Sequence, residues 1–148
     1  MPNGDHRAID MGLLPERIGY RLRRAQLAVF QDLFRGLAET GVTPAEYSVL
    51  TLLAYNAAPR AGQVADALGV KPANFVRLQE KLETRGFITR ERAADDGRAM
   101  TLGLTEQGRR MLAVLDQTIE QHDARVAEKL SEEERATLMR LLGVLSGD

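Results

Sequence analysis

The sequence predicts a mostly α-helical protein with one small β-hairpin. Three observations lead there. Apolar residues recur at helical spacing over most of the chain, capping signals divide that pattern into separate helices, and the stretch from Phe87 to Leu104 suits two short strands around a polar turn. At 148 residues the chain is long enough to bury a core and too short for two substantial ones. Residues 1–148 are therefore read as one unit.

The elements follow in order. Ile18, Leu22, Ala25, Val29, Leu33 and Leu37 recur at helical spacing in a long first helix over residues 13–40, and Gly41 stops it. Thr43-Pro44-Ala45-Glu46 then opens a second helix. Thr caps it, Pro fits the first turn and Glu reaches back in a capping box. Tyr47, Leu50, Leu53 and Ala54 form its apolar stripe, and it ends before Ala57-Ala58-Pro59 because Pro cannot continue the ladder. Two further helices lie between Ala61 and Arg85, broken at Gly69 and restarted at Pro72. Phe87 to Glu91 and Met100 to Leu104 are the strands, joined through Ala93-Ala94-Asp95-Asp96-Gly97. Thr105-Glu106 opens a long helix with a stripe of Met111, Leu115, Ile119, His122 and Val126. Ser131-Glu132-Glu133-Glu134 repeats the capping box ahead of Leu138, Leu141, Leu142 and Leu145.

Composition narrows the function. With no cysteine, disulfides, thiolate zinc sites and thiol nucleophiles are excluded. The segment MPNGDHRAID lacks the apolar run of a secretory leader, and no run of about 18 apolar residues could span a bilayer, so a cytoplasmic protein with no membrane partner is expected. The net charge of −1 hides a polarity. Arg60 to Arg98 holds 8 Lys or Arg against 6 Asp or Glu, whereas the rest holds 12 against 15. Position matters more than the sum, because a nucleic-acid footprint is a local basic surface.

The window RAGQVADALGVKPANFVRLQEKLETRGF has the arrangement of a helix-turn-helix, in which two short helices cross closely at a tight turn. Ala65 is small enough for the crossing, and Gly69 suits a left-handed turn. Phe75, Leu78 and Leu82 form the inward stripe of the second helix, so Ala73, Asn74, Arg77, Lys81 and Thr84 face outward. That face can enter a major groove, where Arg reads guanine and Asn reads adenine, so Asn74 and Arg77 are base-contact candidates. Lys71 and Lys81 flank them as phosphate contacts, with Lys71 also in reach of a base edge. The competing reading is a solvated face, with Arg77 and Lys81 paired to Glu80 or other nearby carboxylates.

Beside this helix, Arg90 and Arg92 on the rising strand and Arg98 after the tip make the hairpin a basic projection, the chemistry of a wing. A narrow tip can enter the minor groove, whose negative potential draws Arg, and Arg98 is the candidate. Alternatively, Asp95-Asp96-Gly97-Arg98 is a turn closed by its own Asp-Arg pair, and the two readings coexist if Asp96 holds Arg98 in position.

Over nearly the whole chain the sequence resembles the MarR family of multiple antibiotic resistance regulators, most strongly in ANFVRLQEKLETRGFITRERAADDGRAMTLGLTEQG. The matching parts are Leu82-Glu83, Arg85-Gly86, Asp96-Gly97-Arg98 and Leu104-Thr105-Glu106-Gln107-Gly108. Jointly they are specific. The resemblance implies a winged helix-turn-helix lobe over residues 43–104 and a homodimer held by helices at residues 13–40 and 105–147. Each subunit would read a half-site of palindromic double-stranded DNA, usually to repress. Lys71 departs from the pattern, since Ser or Thr often caps the recognition helix there, and Val76 replaces a common polar residue. Such proteins often respond to a small anionic aromatic or acyl-CoA-type effector bound where dimer helices meet the DNA-binding lobe. Arg17, Arg21 and Arg24 share a helix face near Tyr20 and could hold that anion, or they form a solvated or dimer-contact face.

Other classes fare worse. Only His6 and His122 offer imidazoles, neither with a second His at ligand spacing, so no metal site or cofactor is expected. There is no Gly-rich phosphate loop and no convincing Ser-His-Asp set, so an enzyme is not expected. A winged helix can also serve as a protein-binding module, but the basic wing and helix face favour DNA.

Overall fold

Thr43 and Ser131 organise two of the helices through reciprocal capping boxes, as their sequences predict. The Thr43 amide donates to Glu46 Oε2 at 2.8 Å and Thr43 Oγ1 accepts from the Glu46 amide at 3.2 Å; Ser131 and Glu134 repeat the pattern. In the computed structural model, which describes residues 9–147, the predicted order of elements holds; His6 lies outside the described residues. Helix α1 (Ile18–Leu37) is shorter than the helix predicted over residues 13–40: the extended Arg17 separates it from a 3-10 turn at Leu14–Glu16, and a 3-10 turn at Ala38–Thr40 continues it to Gly41 at φ 63°. Helices α2 (Pro44–Tyr55), α3 (Ala61–Ala67) and α4 (Pro72–Thr84) lead into an antiparallel hairpin of β1 (Ile88–Arg92) and β2 (Met100–Leu104). Helices α5 (Glu106–Ala127) and α6 (Glu132–Ser146) follow.

Strand β1 starts and ends one residue later than the spacing predicts. Phe87 belongs to the corner before it: its amide donates to the Leu82 carbonyl and its own carbonyl accepts from Thr105. The hairpin also gains an edge not visible in the pattern, where the Leu102 amide donates to the Pro59 carbonyl at 2.9 Å and Arg60 bridges to Thr101. A single core ties the elements together: Leu37, Leu50, Leu82, Leu102 and Leu115, from α1, α2, α4, β2 and α5, are all fully buried.

Two junctions hold this core in register. At the first, Thr105 caps α5 and its hydroxyl donates to the Gly86 carbonyl at 2.7 Å, while Gly108 lies so close to Phe87 that an added Cβ would collide with the Phe87 carbonyl oxygen. Arg85 donates to the Thr40 and Gly41 carbonyls, each at 2.8 Å, and stacks over the Phe87 ring. At the second, buried His122 of α5 lies 2.8 Å from Asp32 of α1, which also accepts from Arg125 at 2.9 Å. These hydrogen bonds, that of His122 first, hold the Asp32 pKa down at about 2. His122 is thus an anchored polar residue within the α5 stripe. Helix α6, by contrast, buries no residue against its own chain.

Two outcomes follow for stability. Gly108→Ala should lower the free energy of unfolding by about 1 to 3 kcal/mol, or more if the corner cannot yield, as read by chemical denaturation. Because Asp32 is more acidic folded than unfolded, its contribution is complete above its ordinary value near 3.8 and fades as pH falls through about 2. The stability gap between wild type and Asp32→Asn should therefore close as pH falls from about 3.8 towards about 2; a gap that widens in acid would contradict the assignment.

Candidate nucleic-acid interface

The turn between α3 and α4 has the geometry its small residues allow. Ala65, 5% exposed, sits at the crossing; Gly69 takes φ 60°; and the Val70 amide donates to the Ala65 carbonyl at 3.0 Å. Pro72 opens α4, and Lys71 occupies the capping position without a side-chain cap, as expected where Ser or Thr is replaced. Phe75 and Leu82 bury the inner face as predicted, but their fully buried polar companion is Gln79, and Leu78 is only half-buried. Glu83, one turn beyond Gln79, meets Arg90 of β1 at 3.1 Å, which ties the wing to α4.

The outer face of α4 is exposed at Ala73, Asn74 and Arg77. Among the described residues, the side chains of Lys71, Asn74, Arg77, Arg92 and Arg98 make no hydrogen bond or ion pair. Arg77 is not paired with Glu80. Lys81 is held otherwise: its ammonium lies 2.7 Å from Glu46, a carboxylate only 1% exposed, and thus links α4 to α2. Arg90 likewise spends part of its fork on Glu83. Five of the predicted basic or amide side chains are free, and two are partly committed within the chain.

The wing tip is organised by a residue that spacing did not reveal. Arg60, at the start of α3, pairs with Asp95 at 2.9 Å and approaches Asp96 at 3.9 Å. Asp96 in turn accepts from the Arg98 backbone amide at 3.0 Å, which leaves the Arg98 guanidinium free to project. The turn is closed by Asp96 through backbone, not through an Asp-Arg side-chain pair. No linear signal links Arg60 to Asp95; the hairpin's return to Pro59 and Arg60 creates the contact.

Arg17 precedes α1 as its N-cap in extended backbone, outside the helix on which it was expected; it is exposed, as are Arg21 and Arg24 on α1, and Tyr20 is half-buried. Arg21 Nε donates to the Pro15 carbonyl at 2.6 Å and lines a small cavity of about 300 Å³ with Leu22 and Ala25. A wider groove of about 890 Å³ lies further along the helix, floored by Leu27, Phe30 and Phe34 and flanked by Arg23 and Arg35. The sequence reading missed this groove. Arg23, Leu27, Phe30 and Phe34 do recur at steps of four, three and four, which was the available signal. Among the described residues no group of His, Asp and Glu could hold a metal ion, and no helix is long and apolar enough to cross a membrane.

A tight helix-turn-helix, an unpaired Asn-Arg face and a basic hairpin beside it define a winged helix-turn-helix transcription regulator. Comparison with known proteins sharpens the class. The MarR family model matches residues 40–99. A curated relative from Thauera aromatica, described as a putative transcriptional regulatory protein for the hcr operon, is 33% identical over 95% of this chain and 85% of its own. The solved structure of the transcriptional repressor CouR bound to a 23-mer DNA duplex is 37% identical, with a TM-score of 0.89 over 93% of this chain and 98% of that one. CouR bound to p-coumaroyl-CoA is 36% identical, with a TM-score of 0.87 over 93% and 97%. The chain belongs to the MarR family.

The different surroundings of two α4 cations give a direct test. Arg77→Ala should leave the thermal midpoint within about 1 °C of wild type, since surface changes away from specific contacts cost little. Lys81→Ala strands the buried Glu46 carboxylate and should cost about 1 to 2 kcal/mol, discounted because Lys81 is half-exposed. Equal midpoints for the two variants would show that the Glu46 pair carries no stability.

Proposed function

We propose that this chain is a homodimeric, effector-responsive repressor that reads a palindromic operator with α4 and the wing of each subunit. The observation that carries the reading is the unpaired face of α4. Asn74 and Arg77 are hydrogen-bonding side chains held on a rigid helix with no partner among the described residues, next to a projecting Arg98. In this reading residues 43–104 form the DNA-binding lobe. Asn74 and Arg77 meet base edges, with Ala73 allowing close approach; Lys71, Lys81, Arg90 and Arg92 meet phosphates; and Arg98 enters the minor groove. Lys81 keeps two of its three N–H donors for a phosphate while the third serves Glu46.

The helices at residues 13–40 and 105–147 form the dimer. Leu138, Leu141, Leu142 and Leu145 are 39% to 61% exposed on α6, and Ile18 is 70% exposed on α1. A helix with no buried residue of its own needs a partner surface to be stable, and a second copy supplies one at the spacing a palindrome requires. The protein then works in the cytoplasm on double-stranded DNA.

The effector is an aromatic acid or its acyl-CoA thioester. Support comes from the p-coumaroyl-CoA complex of CouR and from the chemistry along α1. There Arg17, Tyr20, Arg21 and Arg24 would meet the anionic end of the ligand near the start of the helix, and the groove floored by Leu27, Phe30 and Phe34 and flanked by Arg23 and Arg35 would take its aromatic end. Binding would favour dimers whose recognition helices no longer fit half-sites roughly 34 Å apart.

Selection of an operator from a random duplex pool tests the DNA reading. Binding should weaken steeply as salt rises, because phosphates release counterions. On the selected duplex Arg77→Ala should cost roughly 1 to 3 kcal/mol and relax sequence preference, whereas Lys81→Ala should weaken specific and random duplexes alike. Equal losses on both duplexes for Arg77→Ala would remove it from base readout. For the effector, paired replacement of Arg17 and Arg21 by Ala should abolish release by aromatic acyl-CoA thioesters while leaving operator affinity intact; undiminished release would refute that site.

A further inference from the structure

Val76 occupies an unrewarded position. It is 48% exposed on α4, immediately before Arg77 and one turn beyond Ala73. Most of the other large exposed apolar side chains lie on α1, α6 or the segment before α1, where a dimer would cover them. Val76 has no such cover. A β-branched residue on an exposed helix face is a weaker helix former than Ala, Arg or Gln, and it leaves apolar surface in water. Nothing within the described chain compensates.

Its neighbours indicate what does. Arg77 has no partner among the described residues and is suited to a base edge, and Ala73, one turn before, keeps the helix surface low between Arg77 and Val76. Glu80, one turn beyond Val76, is exposed and unpaired, and its charge repels phosphate. That flank of α4 is therefore suited to base edges, not to the backbone. The apolar group that a major groove offers is the thymine 5-methyl.

Resting on the DNA-binding reading, we propose that Val76, with Ala73 beside it, reads the 5-methyl group of a thymine in each half-site. The contact is blind to hydrogen bonding. It therefore also accepts the methyl of 5-methylcytosine, which makes operator affinity sensitive to methylation of a cytosine placed there.

The test uses the full-length protein and an operator selected from random DNA. Each thymine is replaced in turn by uracil, which removes the methyl and keeps every hydrogen-bonding group. At one position wild type should lose about fourfold in affinity for one half-site and about 16-fold for both, the effect of about 0.8 kcal/mol per buried methyl. Val76→Ala, which suits an exposed helix position and leaves the fold intact, should bind the thymine operator more weakly and lose less than about twofold more on uracil. With cytosine at that position, 5-methylcytosine should restore affinity to wild type and not to Val76→Ala. An operator with no uracil position whose effect depends on Val76 overturns this inference alone. Failure to select any duplex overturns the DNA-binding reading and this inference with it.

Discussion

The corner where α5 begins against the end of α4 is the constraint on which the rest of the molecule depends. Thr105 caps α5 and donates to Gly86, Gln107 reaches the Arg85 carbonyl, and Gly108 leaves no room beside Phe87. From the same corner the Arg85 fork grips the carbonyls of Thr40 and Gly41 ahead of α2. Recognition helix, wing and long helix thus meet at one rigid point. A shift in α5 must move α4 and the hairpin together, because the close backbone approach permits no slack. This gives a physical route from the terminal helices to the DNA-facing surface.

Charge is distributed by the same logic. A net charge of −1 is compatible with DNA binding because four carboxylates of the lobe, Glu46, Glu83, Asp95 and Asp96, are used inside it. Glu46 holds Lys81, Glu83 holds Arg90, and Asp95 and Asp96 engage Arg60. Each of these pairs positions an element: α4 on α2, the wing on α4, and the wing tip on α3. Lys71, Arg77, Arg92 and Arg98 are left with no side-chain hydrogen bond or ion pair among the described residues, and Arg85 is committed to the Thr40 and Gly41 carbonyls. Pairing and freedom are complementary, since the committed residues hold the free ones at the surface.

The terminal helices obey a different rule. The second half of α1 is buried through Leu33 and Leu37 and anchored by Asp32 to His122 and Arg125, whereas its first half and all of α6 leave apolar side chains exposed. One helix therefore changes character along its length, packing into the core at one end and leaving apolar side chains exposed at the other. The groove of Leu27, Phe30 and Phe34 lies where these regimes meet.

Most of the local structure was legible from sequence, because caps, turn glycines and apolar periods act over a few residues. Thr43 with Glu46, Ser131 with Glu134, Gly41 and Gly69 all do what their spacing implies. The MarR resemblance and the outward set of Asn74 and Arg77 were legible for the same reason, being carried by one continuous stretch. What the tertiary structure decided is which charges are spent and which remain. Lys81 meets Glu46, Arg60 meets the wing tip and His122 meets Asp32 across distances along the chain that no helical period spans. Gln79 is buried and Leu78 only partly so, an exchange that the apolar period of α4 does not predict. Periodicity identifies a face; only packing decides what that face touches.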